Sequence, residues 1–261
     1  MAGSVRQKGI SMHRIHFRAI DLLLCVCAAT ALSACATNGE APVPTHQVAA
    51  VPAVLPDSVH WFRDAAEQKA VYLEVYREAT GSARLLSSGL PAGSWGVILD
   101  IDETILDNSD YQKRQALAGQ GFTPDSWNAW ILERSATRLP GAKEFIDAIL
   151  DGLHGRVVLV TNRKEDQCSA TEDNLRNLQI RYERVLCDRV GDSEKNGRFN
   201  TVIKGEPGVA APLNVLIWIG DNIQDFPVLT QQAPSDYSAF GTRYFALPNP
   251  MYGSWQKVRP R

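Results

Sequence analysis

The segment Val97-Ile98-Leu99-Asp100-Ile101-Asp102-Glu103-Thr104 constrains this chain more than any other stretch. An apolar, largely β-branched run stops abruptly at two aspartates spaced i, i+2, and a threonine follows. Such a run reads as a parallel strand buried on both faces. Ligands of open α/β sheets gather at the carboxyl ends of strands, so Asp100 and Asp102 sit where such folds do chemistry. Buried carboxylates are costly unless they are paired or bound to a metal. The bland alternative is a solvated aspartate pair at a strand end, and three later segments weigh against it.

Val157–Val160 runs into Thr161-Asn162-Arg163, and Val215–Ile219 runs into Gly220-Asp221-Asn222, with Asp225 four residues beyond Asp221. Between them, Lys195-Asn196-Gly197-Arg198-Phe199 can begin a helix. Upstream, Asp57-Ser58 offers an N-cap to a helical run with Val59, Phe62, Ala66, Ala70 and Leu73 on one face and Gly81 as its stop. Strands are expected at 95–101, 157–160, 185–186, 215–219 and 243–246, with helices near 125–133, 141–150 and 166–178. This alternation implies an α/β fold with a doubly wound parallel sheet. Residues 107–139 are too many for an ordinary connection and read as a small helical cap over the strand ends.

The order Asp-x-Asp-x-Thr, Thr, Lys, Gly-Asp-Asn-x-x-Asp resembles the haloacid dehalogenase superfamily of phosphohydrolases. Within it, Trp61–Ala70, Leu106-Asp107-Asn108-Ser109, Trp127-Asn128-Ala129-Trp130, Leu139-Pro140-Gly141-Ala142 and the tail Leu247–Trp255 are similar to the class C acid phosphatases, bacterial lipoprotein enzymes. The resemblance runs from Trp61 to Trp255. It implies a phosphomonoesterase with an acid optimum, acting on small phosphate esters that include nucleoside monophosphates.

On this resemblance Asp100 is the nucleophile that forms an aspartyl-phosphate. Asp102 is the acid for the leaving oxygen and then the base for water. Asp100, Asp221 and the Asp102 backbone carbonyl would hold Mg²⁺, whose hard-oxygen preference they match. Asp225 would stand behind them, orienting a metal-bound water or Lys195. Thr161 and Lys195 would bind the phosphoryl oxygens. Lys204 lies in the same interval, but Gly205 and Pro207 follow it and end a helix, whereas Lys195 fits the family's Lys-x-x-Arg-Phe pattern. Trp127 and Trp130, at i, i+3, either pack a helix face or stack a nucleobase; Tyr252 is placed beside the leaving group with them.

The amino terminus carries an address. Arg6, Lys8, Arg14 and Arg18 form a basic region, Leu22–Leu32 an apolar one too short to span a bilayer, and Leu32-Ser33-Ala34-Cys35 a lipoprotein-type cleavage site. Met12 is an alternative start. Residues 1–34 are thus expected to be a signal peptide, with Cys35 lipidated and residues 35–56 a Pro/Ala-rich tether. By the Gram-negative sorting rule that the resemblance implies, Ala36 after the cysteine directs the lipoprotein to the outer membrane, facing the periplasm. Without residues 1–34, which hold Arg6, Lys8, Arg14, Arg18 and Asp21, the net charge falls from −2 to about −5. That balance gives no reason to expect a nucleic-acid polymer as partner. Cys168 and Cys187 are the remaining cysteines of that mature chain, either bridged or two buried thiols.

Rival chemistries lack their signatures. There is no Gly-x-Ser-x-Gly, no phosphate-binding Gly-x-x-x-x-Gly-Lys loop and no Arg-His-Gly, and His46, His60 and His154 lack metal-ligand spacing. An envelope-interaction lipoprotein using the fold as a scaffold is the other reading. The set Asp100, Asp102, Thr161, Lys195, Asp221 and Asp225 counts against it, since a scaffold has no need of four carboxylates at one sheet edge.

Overall fold

The computed structural model describes residues 54–191, 194–232 and 236–259; the expected signal segment, Cys35 and most of the tether lie outside the described residues. In chain order the strands are β1 (Trp95–Leu99), β2 (Leu106–Asp107), β3 (Thr137–Arg138), β4 (Arg156–Lys164), β5 (Arg184–Asp188), β6 (Asn214–Gly220) and β7 (Tyr244–Ala246). The helices are α1 (Asp57–Asp64), α2 (Ala66–Leu86), α3 (Ser109–Leu117), α4 (Pro124–Glu133), α5 (Ala142–Asp147), α6 (Cys168–Asn177) and α7 (Asn196–Lys204). Five strands form one parallel sheet in the order β5-β4-β1-β6-β7. The chain fills one side of β1 outward to β5, then returns to the other side with β6 and β7. The winding reverses between β1 and β6, which opens a crevice at their carboxyl ends.

Helices on both faces explain why the strands read as continuous apolar runs. Val97 and Leu99 pack with Tyr72, Tyr76, Ala79, Phe145 and Ile149 on one face. Ile98 points the other way, into Val160, Phe199, Val202 and Phe226. Beside β1, strand β6 carries one extra residue. Gly96 pairs with Val215 and Val97 with Ile217, leaving Leu216 as a bulge. Arg243 reaches this point, donating from Nη2 to the Val215 carbonyl at 2.9 Å and from Nε to the Leu216 carbonyl at 3.3 Å.

Several boundaries differ from those the sequence suggests, and three of the differences bear on packing or on the site. The first helical run is two helices, broken at Ala65, whose ψ of 133° is extended. The break lets α1 dock on α3, where Arg63 donates to Ser109 Oγ at 3.1 Å. Gly81 does not stop α2, which continues to Leu86. A glycine inside a helix costs about 1 kcal/mol relative to alanine, and burial of Ala79 and Ala83 on either side outweighs it. Strand β4 runs on through Thr161, Asn162, Arg163 and Lys164, so that Thr161 and Arg163 share its inward face.

A small insertion lies between β1 and α5. Antiparallel pairing of Leu106 with Arg138 and of Asp107 with Thr137 closes its base. Its two helices, α3 and α4, lie in between. Thr123 caps α4, with Ser126 N donating to Thr123 Oγ1 at 3.1 Å and Pro124 filling the first turn. Among the described residues, no helix is long and apolar enough to cross a membrane.

Cys168, the first residue of α6, is bridged to Cys187 of β5, with Cα atoms 6.1 Å apart. The bridge closes a loop of 19 residues' separation. Loop closure of that size is worth about 3 kcal/mol in the unfolded chain. The Cys168→Ser/Cys187→Ser protein should therefore unfold at lower denaturant, by about 3 kcal/mol, with no further change when reductant is added. Two titratable thiols in the denatured, unreduced wild-type chain beyond Cys25, Cys27 and Cys35 would contradict the bridge.

Candidate active site

The carboxyl ends of β1 and β6 bring carboxylates together. Asp100 follows β1 directly, its N–H still in the ladder at 3.0 Å from the Ile219 carbonyl. Asp221 follows Gly220 at the end of β6, and Asp225 returns to the same point after one short 3₁₀ turn. Side-chain oxygens of Asp100, Asp221 and Asp225 all lie within 4.8 Å of one another. Gly220 makes this possible, since a Cβ there would stand 2.3 Å from the Asp225 carboxylate. The glycine before the aspartate is a matter of space.

One ammonium answers the three carboxylates. Lys195, only 2% exposed, caps α7 and places Nζ 2.5 Å from Asp100 Oδ1 and 2.7 Å from Asp225 Oδ1. Lys204 sits at the far, exposed end of α7. Asp225 Oδ2 accepts from Asn222 N at 2.8 Å, and Asp221 Oδ2 from Asn249 Nδ2 at 2.7 Å. Burial pushes Asp100 up to about 7 against the pull of Lys195, with Asp225 and Asp102 adding to the rise. Burial, then Asp225 and Asp100, hold Asp221 well above the ordinary carboxylate range. Burial alone would lower Lys195, but Asp100 and Asp225 more than offset it and hold it above the usual lysine range. The cluster thus carries more negative charge than one lysine balances. Its donors are all hard oxygens, which fits a divalent cation.

Asp102 points to a different partner. Its Oδ1 accepts from Arg163 Nη2 at 2.7 Å, Arg163 Nε at 3.0 Å and Asn108 Nδ2 at 2.9 Å. Arg163, whose side chain is 1% exposed, was not singled out as a site residue by sequence reasoning, although it stands in the Thr161-Asn162-Arg163 segment. Its signal was an arginine two places after an inward threonine on a strand, hence on the same face. Between Asp102 and the insertion, Glu103 adopts a left-handed φ of 51°. That turn is held from α2, where Tyr72 OH donates to the Glu103 carbonyl at 2.7 Å and Tyr76 OH to the Thr104 carbonyl at 2.8 Å. Asn108 N donates to Glu103 Oε1 at 2.8 Å. Burial, then Asp102 and Asp221, raise Glu103 well above the usual range.

Asp100, Asp102, Lys195, Asp221 and Asp225 line one cleft of about 690 Å³, with Phe122 and Trp127 from the insertion and Tyr252 from the tail on its walls. Thr161 lies fully buried behind them, its Oγ1 accepting from Arg163 N at 3.1 Å. Trp130 does not reach the cleft. It is 3% exposed, its Nε1 donating to Asn108 Oδ1 at 2.8 Å, and its ring packs against Tyr111. The two tryptophans at i, i+3 therefore have separate fates, one on the cleft wall and one in the core of the insertion.

Comparison with known proteins gives the family and the fold. The family described as HAD superfamily, subfamily IIIB (Acid phosphatase) matches residues 21–255. The class C acid phosphatase of Bacillus anthracis is similar in structure, with a TM-score of 0.66 and 30% identity, over 77% of this chain and 85% of that one. A second structure of that enzyme, with tungstate bound, gives a TM-score of 0.65 at 29% identity. Acid phosphatase 1 of Solanum lycopersicum is 28% identical over 155 residues, 59% of this chain and 57% of the tomato protein. The chain belongs to the acid phosphatases of HAD subfamily IIIB.

Proposed function

We propose that this protein is a Mg²⁺-dependent phosphomonoesterase working through an aspartyl-phosphate on Asp100. The observation that carries the reading is the cluster of Asp100, Asp221 and Asp225 around the buried Lys195 ammonium at the β1–β6 crevice. Tungstate is a tetrahedral oxyanion like phosphate, and its presence in the Bacillus anthracis relative supports a phosphoryl ligand.

In this reading a carboxylate oxygen of Asp100 attacks phosphorus as the ester oxygen leaves with a proton from Asp102. Water then attacks the same phosphorus, gives a proton back to Asp102 and frees Asp100 and inorganic phosphate. Lys195 holds a phosphoryl oxygen and keeps Asp100 and Asp225 in register, whereas Thr161, fully buried behind the cleft, supports the site through its Oγ1, which accepts from Arg163 N. Asp100, Asp221 and the Asp102 carbonyl are the groups that would hold Mg²⁺, with Asp225 behind them. When bound, the cation neutralises charge that would otherwise set a carboxylate against a phosphate dianion, a repulsion of about 4 kcal/mol per charge pair at 4 Å and effective dielectric 20.

The purified protein should hydrolyse phosphate monoesters with Mg²⁺, lose turnover on chelation and regain it when Mg²⁺ is returned. Asp100→Asn should abolish steady-state turnover while its thermal unfolding stays cooperative. Asp102→Asn should lose about 10²- to 10⁴-fold in kcat with a smaller change in inhibition by inorganic phosphate. Substantial turnover by a folded Asp100→Asn protein contradicts the mechanism.

Nucleoside monophosphates are the substrates this cleft suits. Trp127 and Tyr252 line the cleft together with Asp100 and Asp102, and base–aromatic stacking is worth about 1–3 kcal/mol and is indifferent to base identity. Trp127→Ala and Tyr252→Ala should each raise KM about 5- to 100-fold for purine and pyrimidine monophosphates and spare small aliphatic esters. Trp130→Phe, which changes the insertion's interior, should not discriminate between the two substrate types. Equal losses on both types in the Trp127 and Tyr252 variants would reduce these aromatics to packing.

A further inference from the structure

Arg163 has no role in the hydrolysis as set out above, yet its contacts are the most complete of any charged side chain in the cleft. Its Nη2 and Nε grip Asp102 Oδ1 at 2.7 and 3.0 Å, while Nε reaches Oδ2 only at 3.2 Å. Asn108 Nδ2 adds a third donor to Oδ1 at 2.9 Å. The remaining guanidinium groups are also committed, Nη1 to Thr171 Oγ1 at 3.0 Å and Nη2 also to Asn108 Oδ1 at 3.2 Å. Asn108 is itself held by Trp130 Nε1. The guanidinium carbon lies 5.7 Å from the centre of the Trp127 ring, the aromatic on the cleft wall.

These contacts treat the two oxygens of Asp102 unequally. Oδ1 receives three strong donors and has no capacity left, whereas Oδ2 has only the longer Nε contact and keeps a lone pair uncommitted. We propose that Arg163 is the positioning residue for leaving-group protonation, clamping Asp102 by Oδ1 so that Oδ2 carries the transferred proton, and linking that carboxyl to the Trp127 wall that meets the leaving group. The inference rests on the phosphomonoesterase reading and adds to it the residue through which Asp102 acts. A guanidinium that sets two N–H groups on Oδ1 is suited to this, since its rigid fork restrains the orientation of the carboxylate where an ammonium fixes only a distance. A merely structural ion pair would give stability without favouring one ester over another.

The test compares kcat/KM, which reports the steps through phosphoryl transfer, for two esters at saturating Mg²⁺. The p-nitrophenolate of p-nitrophenyl phosphate leaves without needing a proton, and the alkoxide of glycerol phosphate does not. Arg163→Met should lose about 100-fold on glycerol phosphate and less than about 10-fold on p-nitrophenyl phosphate. The Arg163→Met/Asp102→Asn double variant should be no slower on glycerol phosphate than Asp102→Asn alone, because both remove one function. Equal losses on both esters, with the double variant slower by the product of the single losses, overturn the proposal. Should Arg163→Met lack a cooperative thermal transition, Arg163→Lys replaces it. Keeping the charge without the fork, it should lose about 10-fold on glycerol phosphate only, and an equal loss on both esters again overturns the proposal. A wild-type protein inactive on both esters with Mg²⁺ marks the different failure, that of the hydrolytic reading itself, and Arg163 then has no leaving group to serve.

Discussion

Too much negative charge at one point is the condition to which the rest of this molecule answers. Asp100, Asp221 and Asp225 present oxygens within 4.8 Å of one another. Each pair of such carboxylates repels by about 4 kcal/mol at 4 Å and effective dielectric 20. Lys195 bridges two of them and is nearly inaccessible, so removing its ammonium would leave buried charges uncompensated. The remaining imbalance is what makes a divalent cation fit. The same crowding gives each neighbouring backbone element its task. Gly220 leaves room for Asp225, Asn222 N fixes that carboxylate from its other side, and Asn249 restrains Asp221.

Support for the site comes from elements far apart in the chain. Tyr72 and Tyr76 of α2 hold the carbonyls of Glu103 and Thr104, which keeps the left-handed turn after Asp102 in place. Asn249, which holds Asp221, also accepts from Met251 N at 2.9 Å and so orders the tail that carries Tyr252 to the cleft. The first helices and the final loop therefore belong to the catalytic apparatus by contact. For the tail Leu247–Trp255, part of the family likeness, Asn249 supplies that contact.

What could be read from sequence divides along physical lines. Strands buried on both faces leave continuous apolar runs, so β1, β4 and β6 and the polar groups that end them were plain. The juxtaposition of Asp100 and Asp221 follows from motif order, because parallel strands deliver their ends to one edge; Lys195, at the start of a helix, is legible only through the family resemblance. Helix ends were harder. Gly81 is a stop signal by propensity, and burial of Ala83 overrides it. Arg163 looked like one more strand-end polar residue, since nothing in the spacing reveals that its guanidinium meets a carboxylate 61 positions away. Trp127 and Trp130 were indistinguishable for a related reason. Which of two tryptophans faces a cleft depends on the tilt of α4, and a hydrogen bond from Trp130 to Asn108 decides it.

The account stands or falls on Asp100 carrying the phosphoryl group. Borohydride added during steady-state hydrolysis reduces an acyl phosphate to the alcohol, converting the modified aspartate to homoserine. Peptide mass spectrometry should then find homoserine at position 100, dependent on substrate and on Mg²⁺. An unmodified residue 100 in protein quenched at full turnover, or homoserine at Asp102, Asp221 or Asp225 instead, would contradict it.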